Sequence, residues 1–233
     1  MVPFSFLKNR SSRALFIANA VPLIGVLFFQ WNVVSLLLSY WIESGVIGFY
    51  NVLKMSRAEG EIWVDKNNET HPSGTAGAVP ITPAQMKATR FFLIPFFLFH
   101  YTGFMTGHYF FIVAILPTLI RNGQSSEVLL TTAFWPMIIT GLSLLISHGI
   151  SYYENFLGHE EYKSVEIGTQ MFAPYKRIIV MHVTVILGSI FLAFFDYPPL
   201  VLVVLISLKM IIDYQFHMTT HPSLKKLFAN VIS

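Results

Sequence analysis

Several ionisable side chains stand in stretches of this sequence that are otherwise apolar: Glu43, His100, His108, His148, His182, Lys209, Asp213 and His217. A charge at the centre of a bilayer costs about 2.5–3.5 kcal/mol on insertion scales, so each such group needs a partner or a function. Imidazole nitrogens and carboxylate oxygens are ordinary zinc ligands, and zinc lowers the pKa of bound water toward about 7, which makes hydroxide available at neutral pH. Lys209, Asp213 and His217 recur every fourth residue and form one helical stripe. Asp213 and His217 can share a divalent cation, and Lys209 and Asp213 fit equally well as an intrahelical salt bridge. His100 and His108 are offset by roughly 80° around a helix, so both can face a bundle without binding one ion. Glu43 is either neutral or paired with Lys209 or a histidine. Each histidine also has the ordinary reading of a hydrogen-bonding packing residue between helices.

The elements that must position these residues follow from composition. Of 233 residues, 54% are hydrophobic and only 12% charged, and none is cysteine. A soluble domain carries about 25% charge, so the chain reads as an integral membrane protein rather than a soluble enzyme or a disulfide scaffold. Six apolar stretches stand out, at about 14–29, 33–53, 91–120, 128–153, 178–195 and 199–216. Most approach the ~20 residues a helix needs to cross a bilayer, and runs such as Leu200 to Leu208 lack the alternation of a barrel strand. The expected fold is therefore all-α, a single bundle of about six transmembrane helices over 1–233. Of the 15 lysines and arginines, all but Arg121 and Lys209 fall on one side of that bundle. The positive-inside rule puts both termini in the cytoplasm of a cell (inner) membrane protein and accounts for the basic pI without nucleic acid. Ala18-Asn19-Ala20 has too short an apolar run before it for a signal peptide, so the first stretch reads as a retained helix.

Residues 56–89 read as a polar cytoplasmic connector with too few apolar residues for a core, and 156–175 as a second inner loop. Thr82-Pro83-Ala84-Gln85 has the form of a capping box with proline at the first helical position, so the third helix should begin before Phe91. Counting ~1.5 Å per residue from the cytoplasmic ends puts His182 at ~8 Å, Lys209 at ~14 Å and Glu43 at ~16 Å, with His108 deeper still toward the outer leaflet. Histidine pairs suited to hold haem between helices differ in depth on this count.

Familiar intramembrane motifs fail. His159-Glu160 lacks a second histidine one turn on, Ser44-Gly45 lacks the glycine of a rhomboid-like nucleophile motif, and no glycine-rich phosphate loop occurs.

The motifs Tyr40-Trp41-Ile42-Glu43, His100-Tyr101-Thr102-Gly103-Phe104 with His108 and Phe110, Ser147-His148 with Ser151 and Asn155, Pro174-Tyr175 through Arg177 with His182, and Lys209 with Asp213 resemble an uncharacterised family of prokaryotic multi-pass membrane proteins, a domain of unknown function. The resemblance covers nearly the whole chain. It implies that Glu43, His100, His108, His182, Lys209 and Asp213 belong to the family pattern, and it implies no activity, substrate or cofactor.

The residues themselves point first to zinc. His182 and Asp213, with His100, His108 or His217, are the candidate ligands, and Glu43 and Lys209 the candidate catalytic groups, Glu43 as the base that activates water. The reaction would be hydrolysis of a membrane-embedded peptide or lipid in the cytoplasmic half of the bilayer, reached from the cytoplasm beside Lys176 and Arg177. A proton-coupled carrier using the same groups as a relay is the first alternative, and a non-catalytic membrane assembly partner the second.

Overall fold

The computed structural model describes residues 31–71, 77–119 and 126–175, with positions 21, 24–25, 28–29, 178–179, 182–183 and 186–187. Asn32 opens the central helix, α1 (Val33–Arg57), its side chain accepting the Ser35 N–H at 2.8 Å. Lys54 and Arg57 occupy the last turn, where positive charge meets the carbonyl end of the helix dipole. Ser39 and Ser44 turn their hydroxyls back onto the carbonyls of Ser35 and Tyr40, which hides two donors inside an apolar packing environment. Leu36, Leu37 and Leu38 are all fully buried, so this helix is surrounded rather than amphipathic.

The chain then departs from the all-helical expectation. Within the 56–89 connector, β1 (Trp63–Val64), β2 (Thr70–His71) and β3 (Val79–Pro80) form a three-stranded antiparallel sheet in the order β2-β1-β3. Trp63 pairs with His71 on one side and Pro80 on the other. Asn68 supplies the left-handed turn residue at φ 61° between β1 and β2. Ala58, Ile62 and Ala78 are buried beneath this segment, and the Ile81 N–H bonds the Ile62 carbonyl at 2.9 Å.

Helix α2 (Pro83–Phe110) begins as its capping box requires: Thr82 accepts the Gln85 N–H and Gln85 reaches back to the Thr82 N–H at 2.8 Å. It runs through a π-turn at Phe111–Ile115 into the short α3 (Leu116–Leu119). Helix α4 (Ser126–Ser151) ends in a second π-turn at Tyr152–Leu157. It packs against α1 through Gly141 under Ile42 and through the Tyr50 hydroxyl on the Leu145 carbonyl at 2.9 Å. By length and composition, Val34–Arg57 and Thr131–Leu157 can each cross a membrane.

The 156–175 segment is not a simple loop. The Glu59 and Gly60 N–H groups donate to the Tyr162 and Val165 carbonyls at 2.7 and 3.0 Å, and a Cβ on Gly60 would stand 2.4 Å from the Val165 carbonyl carbon. Only glycine allows that approach. From this seam α5 (Ile167–Phe172) runs in beside α1 and α2, with Ile167 and Met171 buried. Gln170 donates to the Asn51 side-chain oxygen at 2.6 Å, so a polar residue on each helix satisfies the other. Tyr175 then lies among Phe97, His100 and Tyr101 of α2. The chain is thus inside the helical packing well before Ile178, where the sequence places the start of its fifth span. The expected sixth stretch, 199–216, lies outside the described residues.

Candidate functional site

One face of α2 carries rings at every fourth residue: Phe92, Phe96, His100, Phe104 and His108, each in contact with the next at 5.5–6.2 Å between centroids. His108 ends this ladder. Its Nδ1 lies 2.8 Å from the Phe104 carbonyl oxygen, which can only accept, so Nδ1 carries the hydrogen and Nε2 keeps its lone pair in the neutral ring. Against it stands His182, edge to face, with ring centroids 4.3 Å apart and planes at 76°. Phe104 touches His182 as well, at 5.8 Å. A histidine whose second nitrogen is tied to a backbone carbonyl is the usual form of a metal-binding imidazole.

Depth counting from Arg177 keeps these two rings apart, and the structure corrects it. Residues 167–175 already lie beside α1 and α2, so the segment that carries His182 enters the packing well before Arg177. The two helical segments run the same way, with Tyr175 level with Phe97 and Tyr101, and His182 level with Phe104 and His108. Rings in direct edge contact leave no space for a porphyrin between them, so this pair does not fit haem.

A cleft of about 420 Å³ opens at the pair, lined by Gly103, Phe104, Gly107, His108, Phe111, His182 and Ile186. Gly103 and Gly107 have open space where side chains would stand, and they shape its floor. Phe110 and Ile186, beside it, present exposed apolar surface. His108 itself is 6% exposed.

The other expected residues divide clearly. Glu43 is buried on α1 between two contacts with α2: Trp41 donates to the Met105 carbonyl at 2.7 Å, and the Ser44 carbonyl accepts the Tyr101 hydroxyl at 2.7 Å. Glu43 is therefore level with residues 101–105 of α2, one to two turns short of His108. His100 is exposed, separated from His108 by the Phe104 ring, and packed on Tyr175 at 5.7 Å. His148 stacks on Tyr50 between α1 and α4. Lys209, Asp213 and His217 lie outside the described residues.

A second constellation was not anticipated. Ligand atoms of Asp65, Glu69 and His71 all lie within 4.8 Å of one another at the β1–β2 turn. Asp65 accepts the Asn67 and Glu69 N–H groups at 2.8 and 2.9 Å and faces His71 Nε2 at 3.3 Å. The Glu69 and Asn67 N–H bonds, with His71 beside them, hold the Asp65 carboxyl below the usual carboxylate range. The signal was present as an aspartate before an Asn-Asn turn, with glutamate and histidine two apart on one strand face after it.

A search of curated proteins and of solved structures finds no match to the chain. A family model does match, over residues 1–227, and its description is a family of unknown function, DUF6498. That span takes in Glu43, the ladder ending at His108, and His182, and the chain belongs to this family.

Proposed function

We propose that this chain is a multi-pass membrane protein of about six helices, with both termini cytoplasmic, that holds a divalent transition metal, zinc, between His108 and His182 and uses it to hydrolyse a membrane-embedded substrate. The observation that carries this reading is the contact of two imidazoles from separate helical segments, one of them fixed in its tautomer by the Phe104 carbonyl. Zinc held by these two imidazoles and one further ligand would keep a position for water, as catalytic rather than structural sites do. When bound, zinc supplies Lewis acidity and a more acidic water. Glu43, on α1, is the assigned base: it takes the proton as water adds to the acyl carbon, and returns it to the leaving group as that bond breaks. Asp213 or His217 is the proposed third ligand, and Lys209 joins Glu43 among the proposed catalytic groups.

The relay reading of the same residues is weakened on one point: a phenyl ring, Phe104, separates His100 from His108, and it can pass no proton.

Elemental analysis of the purified protein tests the reading. Near-stoichiometric zinc in the wild type, lost in His108→Ala and in His182→Ala but kept in His100→Ala, supports it. Metal-free wild-type protein after growth with zinc overturns it.

A further inference from the structure

We propose that the cleft over Gly103 and Gly107 binds a single fatty-acyl chain, its carbonyl at His108 and His182, so that the substrate of this site is an acyl lipid rather than a peptide. This rests on the reading of the histidine pair as the reaction centre and narrows its substrate.

Glycines four apart on a membrane helix ordinarily let a second helix approach closely. Here, among the described residues, nothing comes within 4 Å of a Cβ built on either one. What lines the gap is His108, nearly fully buried, with its Nδ1 tied to the Phe104 carbonyl. An imidazole at the edge of an apolar groove is a polar anchor for a single carbonyl group.

Lining chemistry separates the candidate ligands. A helical peptide keeps its carbonyls bonded within the helix and out of reach of the histidines. An unwound peptide brings an N–H and a C=O at every residue, and in hydrocarbon each needs a partner. The lining is mostly helical backbone, already bonded to itself, and offers His108 and His182 as its polar side chains. Those suffice for one ester or carboxyl group and not for a run of peptide bonds. The remaining walls, Phe104, Phe111 and Ile186, match a methylene chain. The exposed apolar surface of Phe110, Val183 and Ile186 places the mouth toward lipid, so the chain slides in sideways.

The test uses the full-length protein in nanodiscs with two photoreactive probes, a phosphatidylcholine and a free fatty acid, each with a diazirine on its acyl chain, and a third, a diazirine-bearing transmembrane helical peptide. Cross-links are mapped by mass spectrometry and zinc is measured on the same samples. Expected is acyl labelling around Phe104, Phe111 and Ile186 that falls at least tenfold in Gly107→Leu and in Gly103→Leu, while labelling at the outward-facing Phe99 is unchanged. The acyl probe that labels at the lower concentration identifies the source of the chain. Retained zinc in the leucine variants shows that they are folded. Groove labelling that survives both leucines, or groove labelling by the peptide probe alone, overturns the proposal. Absence of zinc from the wild type overturns the metal reading instead, whatever the cross-links show.

Discussion

The rings of His108 and His182 meet at 4.3 Å between centroids, although the two residues sit on different helical segments. Two groups that work as one unit lose function together. Affinity for zinc should fall by at least tenfold in either alanine variant, and the double variant should be no worse than the worse single. Competition titration with a zinc chelator measures this, and additive losses would mean that the histidines act separately.

Gln170 and Asn51 offer a cycle of a different kind. Gln170 donates to the Asn51 oxygen at 2.6 Å, the Asn51 amide donates to the Met55 sulfur, and Asn51 is 3% exposed. Removing one partner strands a buried amide at a cost of about 1–3 kcal/mol. Gln170→Leu and Asn51→Leu should each lower the unfolding midpoint, and the double variant should recover most of the loss. A double variant less stable than both singles would show that the amides have other work.

Gly60→Ala should be far more damaging than Gly45→Ala. At Gly60 a methyl group meets the Val165 backbone at 2.4 Å, whereas at Gly45 its nearest neighbour is the flexible end of Met105 at 3.9 Å. Overpacking against backbone costs about 1–3 kcal/mol or more. Limited proteolysis between residues 158 and 166 should rise in Gly60→Ala alone.

The β1–β2 turn should come apart in acid. The Asp65 carboxyl titrates below its ordinary value because it accepts the Glu69 and Asn67 N–H groups and faces His71. A depressed folded pKa contributes stability that is complete above the unfolded value of about 3.9 and is lost as pH falls through the folded one. Amide shifts of Asn67 and Glu69 should therefore hold steady to below the usual carboxylate range and then move together. Asp65→Asn keeps an acceptor and should abolish that titration.

The orientation inferred from basic residues is open to a direct check, because the chain has no cysteine. In intact cells an impermeant thiol reagent should label Glu127→Cys and spare Asn67→Cys. The reverse pattern would invert the bundle.

What could be read from sequence was whatever local chemistry determines. The capping box at Thr82 marked the start of α2, and the apolar runs marked α1 and α4. The sheet escaped notice because its strands are two residues long, too short for a period, and one of them ends in Pro80. The start of α5 escaped because Gly168, Thr169 and Gln170 look like loop, and a hydropathy average cannot see that Asn51 cancels the polarity of Gln170. The same error of boundary hid the meeting of His108 with His182, since it began the fifth helical segment too late.

The π-turn at Phe111–Ile115 has a consequence for how this helix tolerates change over evolution. A π-turn is what one inserted residue does to an α-helix that does not break. The Leu116 N–H reaching back to the Phe111 carbonyl is the mark of such an insertion here. Deleting one residue between Phe111 and Ile115 would restore regular winding and rotate all that follows by about 100°. Leu116, now fully buried, would leave its place. Relatives that lack the extra residue would share the ladder up to His108 and diverge in the shape of the pocket beyond it.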